Sequence, residues 1–303
     1  MPIREMVQLA RPKHWIKNAV VFIPVVFSKR AGEVVAWREA GIAALVFCFA
    51  SAFAYIINDV KDRSSDLAHP LKKHRPLASG RIAVSTAIAE ALVFVLLAVA
   101  LAWRFSGIFL VMALVYIVLQ TAYTFFLKEK ALIDVICIAM GFVIRAGSGV
   151  AAIRSEVSPW LFICMFTICL FMGFCKRYNE VVTIDDKATA HSHRPTLIAY
   201  TPELLTHLIT LSAGIAVISF LLYSLSQSTF ERFGSIYFVY TLPIVVYGVF
   251  RFAMLSMRGS YADPTEIFFK DSPFQATALI WVAAAVVIIT YGKDIAQWLQ
   301  SLY

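Results

Sequence analysis

Three carboxylates mark the first place where this chain could do chemistry. Asp59, Asp62 and Asp66 recur at i, i+3 and i+7 within IINDVKDRSSDLAHPLKKHRPLASG, residues 56–80, directly after a long apolar run. A helix continuing past that run would set all three on one face. Like charges in one stripe repel, so the pattern calls for a cation. Hard oxygen ligands suit Mg²⁺, which takes a few carboxylates plus substrate phosphate oxygens rather than a closed protein cage. Asn58 adds an amide oxygen beside them. The competing reading is a solvated helix end in which Asp66 pairs with Lys61, Arg63 or Lys73.

Downstream, Lys72, Lys73, His74 and Arg75 lie between Pro70 and Pro76, which prevent a regular helix across the stretch. Lys73 and Arg75 are candidates for phosphate, Lys as a point charge and Arg as a fork. An acidic stripe followed by a basic loop therefore suggests a Mg²⁺-bound diphosphate, with plain interfacial anchoring as the alternative. Lys17, in WIKN, and Lys128, in YTFFLKEK, are further cations suited to phosphate oxygens or to snorkelling at a helix end. Tyr123 fits an interfacial aromatic belt better than a site. In CKRYNE, Lys176, Arg177, Tyr178 and Glu180 share about one helical turn, offering two cations and one carboxylate; an i, i+4 pair between Lys176 and Glu180 is the alternative.

The elements that must position these groups are membrane helices. Hydrophobic residues make up 60% of the chain, charged ones 15%, and the mean hydropathy is +0.76, which excludes a soluble domain. At about 20 residues per span, nine segments qualify: 15–28, 41–59, 82–103, 107–127, 132–153, 159–175, 204–225, 236–257 and 274–291. The expected architecture is an all-α integral membrane protein, one polytopic domain over residues 1–303, with helices around a cytosol-facing polar cavity. The opening MPIREMVQLARPKHWIKN lacks the order of a cleavable signal peptide, so the N-terminus is expected in the cytosol. Alternating sides from there puts most of the 27 Lys and Arg, and the 56–80 loop, on the cytosolic face of the cell (inner) membrane. The net charge of +8 then reflects a basic face against anionic lipid and needs no nucleic acid. Cys48, Cys137, Cys164, Cys169 and Cys175 form no C-x-x-C pair and read as packing residues.

With those residues in view, the chain resembles the UbiA-type intramembrane prenyltransferase superfamily. NDVKDRSSD fits its first aspartate motif, N-D-x-x-D-x-x-x-D. RPKHWIKN, the GFVIRAGSG run, CKRYNE and DPTEIFFKD narrow the resemblance to the branch of phosphoribosyltransferases acting on decaprenyl phosphate. Aromatic prenyltransferases of the superfamily carry a second D-x-x-x-D after the sixth span; here that segment has adjacent Asp185 and Asp186 instead. The resemblance implies transfer of a 5-phosphoribosyl group from phosphoribosyl diphosphate to a polyprenyl phosphate for cell-envelope arabinan precursor synthesis. Mg²⁺ would sit on Asp59, Asp62 and Asp66, opposite Lys176, Arg177, Tyr178 and Glu180. Departure of diphosphate leaves positive charge on the ribose, and the acceptor phosphate is already anionic, so no general base is required. The rival is a prenyltransferase using a polyprenyl diphosphate and an aromatic acceptor. A cation-coupled transporter fits less well, because the acidic groups gather at one edge rather than at the midplane.

Two intramembrane charges stand apart. Asp134 opens the fifth span and Arg145 follows roughly 16 Å deeper at the helical rise, where a charge is costly without a partner; Arg145 is expected as a structural cation closing the floor of the cavity. His191 and His193 read as solvent-exposed, and Arg194 as a phosphate contact is open. DPTEIFFKD reads as a helix start, with Asp263 as N-cap, Pro264 at the first position, Glu266 completing a capping box, and Ile267, Phe268 and Phe269 dipping into the interface.

Overall fold

The computed structural model describes residues 3–68, 72–156, 158–183, 195–261 and 264–301. Pro70, Asp185, Asp186, His191, His193, Arg194 and Asp263 lie outside them. The described residues are helical without a strand, as the composition demands, and form two compact units divided near residue 157. Among the described residues, eight helices are long and apolar enough to cross a membrane.

The first unit opens with an amphipathic helix, α1 (Ile3–Ala10), followed by a 3₁₀ helix Pro12–Phe22 and one turn of α-helix, α2 (Ile23–Val26). This stretch corresponds to the first of the nine expected spans and is too short in residues to join the eight. Its geometry compensates. A 3₁₀ helix rises about 2.0 Å per residue, so the two pieces together cover roughly 28 Å. α3 (Val34–Lys61) follows and runs into the short α4 (Arg63–Ala68). α5 (Val84–Ala102), α6 (Gly107–Ala122) with a π-helical turn at Tyr123–Leu127, and α7 (Ile133–Ile153) complete the unit.

Small residues let these helices approach. Ala36, Ala40, Ala43, Ala50 and Ala54 are buried on α3, and Ala87, Ala91, Ala98 and Ala102 on α5, the packing that membrane helices use where no hydrophobic drive separates them from lipid. Phe47 stands edge-on to both Tyr116 (5.2 Å) and Phe109 (6.3 Å) and fills the space between α3 and α6. The GSG of GFVIRAGSG is explained at Gly149, where a Cβ would come within 2.3 Å of the Val21 carbonyl oxygen. α7 and the 3₁₀ helix therefore meet backbone to backbone.

The second unit holds α8 (Pro159–Thr183), α9 (Pro202–Leu225), the short α10 (Gln227–Phe233), α11 (Leu242–Met257), the single-turn α12 (Ile267–Lys270) and α13 (Ser272–Gln300). Pro264–Glu266 forms a 3₁₀ turn that leads into α12, and the expected N-cap Asp263 lies outside the described residues. Glu266 pairs with Lys270 at 2.8 Å, and Ile267 is fully buried while Phe269 is exposed. Asp271, at the end of the segment, caps the next helix: its Oδ1 accepts from the Phe274 amide at 2.8 Å at the start of α13. Arg251 of α11 grips the same carboxylate with two nitrogens, at 2.6 and 2.9 Å. One side chain thus joins α11, α12 and α13.

The Arg251 guanidinium, helped by the Phe274 amide, holds the Asp271 carboxyl below the usual carboxylate range. The pair therefore stabilises fully above the unfolded value of about 4, and that contribution is lost as pH falls through the lower folded value. Asp271→Asn is expected to lower the thermal unfolding midpoint in detergent by a few degrees at pH 7. The difference between the two proteins should shrink as pH drops below about 4; a constant difference would show that charge plays no part.

Candidate functional site

α3 carries its apolar face through the membrane and ends in Asn58, Asp59 and Lys61. Asp62 leaves the helix at φ −91°, ψ 7°, and α4 resumes at once, with the Asp66 amide donating to the Asp62 carbonyl at 2.8 Å. The expected stripe survives as two helices in succession. Asp59 is 3% exposed and Asp66 4%, so both carboxylates need partners to stay charged.

Each carboxylate receives a cation from elsewhere in the chain. Arg75, from the basic loop, sets one nitrogen between two of them, 3.1 Å from Asp59 Oδ1 and 2.6 Å from Asp66 Oδ2. Arg11 makes an ion pair with Asp59. Lys128 pairs with Asp62 and reaches Asn58 Oδ1 at 3.2 Å, while Asn58 Nδ2 donates to Asp62 at 3.1 Å. Of the residues expected here, the structure gathers Asn58, Asp59, Asp62, Asp66, Arg75 and Lys128. Lys17 and Lys73 are exposed.

Arg11 was not among the candidates. It lies in the left-handed region, φ 50°, ψ 58°, between α1 and the 3₁₀ helix, a position that usually calls for glycine. Pro12 bars it from the right-handed helical region. The conformation costs about 1–2 kcal/mol for a residue with a Cβ, offset by the ion pair and by stacking on the Tyr55 ring at 5.2 Å. The signal in the sequence is an Arg-Pro pair where a short helix has to end. Lys128 is aimed by a second irregularity, the π turn closed by its amide donating to the Tyr123 carbonyl at 3.0 Å; single π turns recur at functional sites.

Below the carboxylates, α3 continues polar. Ser51 Oγ lies 3.2 Å from the Tyr116 hydroxyl and 3.4 Å from Asn18 Oδ1. Arg145 donates to the Tyr116 hydroxyl, lies 3.4 Å from Ser51 Oγ, and stacks over the rings of Tyr116 (4.7 Å) and Phe142 (5.2 Å). Among the described residues no carboxylate pairs with this buried guanidinium. Asp134, in the first turn of α7, is fully buried.

Lys176, Arg177, Tyr178 and Glu180 occupy the expected single turn, in the second unit. Arg177, 2% exposed, pairs with Glu180, an i, i+3 contact in place of the Lys176–Glu180 pair that the spacing also allowed. Asn179 between them donates to the Tyr261 carbonyl at 3.0 Å and ties α8 to the segment after α11.

The donor set admits Mg²⁺. A cationic nitrogen of Arg75 already stands between two carboxylate oxygens, where a divalent ion would be accommodated. Among the described residues no three His, Cys, Asp or Glu side chains are grouped so as to hold a metal ion, Asp59, Asp62 and Asp66 included. An ion here would complete its shell with phosphate and water oxygens, which is how Mg²⁺ is usually held.

The family model described as the UbiA prenyltransferase family matches residues 19–274. A decaprenyl-phosphate phosphoribosyltransferase of Corynebacterium glutamicum is 32% identical over 291 residues, covering 94% of this chain and 86% of that protein. Its namesake from Mycolicibacterium smegmatis is 30% identical over 297 residues, covering 95% and 93%. Among solved structures, a UbiA homolog from Archaeoglobus fulgidus bound to DMAPP and Mg²⁺ superposes with a TM-score of 0.70 at 19% identity, over 94% of this chain and 99% of that one. That likeness is one of fold.

The strain at Arg11 is measurable. Arg11→Gly and Arg11→Ala both remove the ion pair, but only glycine relieves the left-handed backbone, so the glycine variant is expected to be the more stable by about 1 kcal/mol. Unfolding midpoints of the two variants in detergent provide the comparison. Equal midpoints would mean that the backbone at Arg11 carries no strain.

Proposed function

This chain belongs to the UbiA prenyltransferase family, and we propose that it transfers the 5-phosphoribosyl group of phosphoribosyl diphosphate to a polyprenyl phosphate at the cytosolic face of the cell (inner) membrane. The carbon–oxygen bond to diphosphate breaks, and a phosphate oxygen of the acceptor takes its place on the anomeric carbon. The product, a lipid-linked phosphopentose, is of the class that cell-envelope arabinan assembly draws on.

The observation that carries this reading is the polar network of Asn18, Ser51, Tyr116 and Arg145 continuing inward from the carboxylates. A prenyl chain attached to a diphosphate at Asp59 would run its hydrocarbon toward hydroxyls and a guanidinium without a carboxylate partner. A phosphorylated sugar would find hydrogen-bond donors there. The names of the relatives at 30% and 32% identity support the same choice.

Asp59, Asp62 and Asp66 would hold Mg²⁺, whose charge would offset that of a departing diphosphate. Arg11, Arg75 and Lys128 neutralise the carboxylates in the ligand-free protein and pass to phosphate oxygens as the donor arrives, with Asn58 holding Asp62 and Lys128 in place. Lys73 and Lys17 supply further positive charge toward phosphate. On the second unit, Lys176 and Tyr178 offer a cation and a hydroxyl suited to a phosphate, and Arg177 with Glu180 fixes the turn that carries them. The acceptor needs no general base, so positioning and electrostatics supply the rate.

Purified protein with Mg²⁺, phosphoribosyl diphosphate and a polyprenyl phosphate is expected to release diphosphate only when both substrates are present, and to stop on chelation of the metal. Asp59→Ala and Asp62→Ala should each reduce turnover by about a hundredfold or more while the protein still elutes as a folded species. Release from a polyprenyl diphosphate with an aromatic acid, and none from phosphoribosyl diphosphate, would overturn the assignment in favour of prenyl transfer.

A further inference from the structure

The second unit contains an apolar cavity of about 220 Å³ between α8, α11 and α13, under α12. Five aromatic rings line it, Phe171, Phe252, Phe268, Phe274 and Trp281, and its wall is almost wholly hydrocarbon. Phe252 lies at its centre, 5.5 Å from Phe171, 5.8 Å from Phe268 and 5.9 Å from Phe274. An apolar cavity of about 150 Å³ stays dry and takes up a small hydrocarbon. This larger one, in a membrane protein, has the chemistry of a chain site rather than a water site.

We propose that this cavity receives the isoprenoid tail of the polyprenyl phosphate acceptor next to its phosphate, an inference that rests on the function proposed above. Two observations bear on the occupant. The first is charge at one end. Met172 lines the cavity, and Lys176 follows it by one helical turn on α8, about 6 Å along the axis, so a chain seated there carries its anionic head toward a cation. The second is the polar lock around that end. Asn179 holds the Tyr261 carbonyl, and Asp271 is held by Arg251 and caps α13, which keeps α12 and its Phe268 over the cavity.

Gly248 gives the means of testing this. A Cβ there meets only the Thr277 methyl, at 3.7 Å, so a larger side chain would enter the cavity without touching backbone. Acceptors of one isoprene unit and of many units are compared at saturating phosphoribosyl diphosphate. In the unsubstituted protein the long acceptor should show the lower KM. In Gly248→Leu the KM for the long acceptor should rise by about tenfold and that for the one-unit acceptor by less, with the KM for the donor unchanged. An undiminished advantage in a folded Gly248→Leu protein would overturn the proposal.

A second measurement does not depend on turnover or on the variant. A polyprenyl phosphate carrying a diazirine in its first units should crosslink to peptides containing Phe252 and Trp281, and unlabelled polyprenyl phosphate should compete. Equal competition by phosphatidic acid, or labelling elsewhere, would also overturn it. Crosslinking competed by polyprenyl phosphate alone, in a protein that transfers no phosphoribosyl group, would keep the tail site and remove the proposed reaction.

Discussion

Three like charges at the end of one membrane helix are the constraint on which the first unit turns. Two carboxylates 4 Å apart repel by about 4 kcal/mol at the effective dielectric of a protein surface, and two of these three are also nearly removed from water. No single neighbouring element can offset that. The cations come from three separate places: the joint between α1 and the 3₁₀ helix, the loop after α4, and the π turn after α6. Two of them arrive at a departure from ideal backbone, and the acidic segment itself holds a third. Arg11 is left-handed, Asp62 interrupts two helices, and Lys128 closes a widened turn. Irregularities of this kind gather where function requires a geometry that regular structure does not supply.

How much of this was legible in the sequence follows from the range of each interaction. Helix identity rests on apolar runs, so the all-α membrane architecture was readable, and the segment at 15–28 was ambiguous because length in residues does not report a 3₁₀ rise. The carboxylate stripe was read from spacing within one helix, and the break at Asp62 that puts Asp66 on α4 was not legible from it. Arg75 and Lys128 were named as cations, but for phosphate; that they also neutralise the aspartates depends on contacts spanning 9 to 66 positions. Arg11 was missed for a related reason. A lone arginine before proline reads as interfacial charge until the fold brings Asp59 beside it. In CKRYNE the i, i+4 spacing pointed to Lys176 as the partner of Glu180, and the structure pairs Glu180 with the buried Arg177 at i, i+3.

The second unit shows the same economy in a different form. Asp271 ends DPTEIFFKD, where local reading gave the capping role to residues at its start. Its actual role needs Arg251, twenty positions earlier on α11, and the amide of Phe274 three positions later. Because α13 leaves most of its length uncovered within the described residues, the polar contacts at its first turn matter more to its placement than its apolar side chains do.

Formal charge in the carboxylate cluster sums to zero, with Asp59, Asp62 and Asp66 against Arg11, Arg75 and Lys128. Such a cluster casts almost no field beyond a Debye length of about 8–10 Å, so a polyanion in solution would not be drawn to it from afar. The long-range attraction belongs instead to the exposed side chains around it, Lys73, His74 and Arg81 among them. On the proposed function, capture and retention would fall to different residues: an outer basic fringe would set an encounter rate that weakens with salt, and an inner balanced set, screened by burial, would set how long a ligand stays.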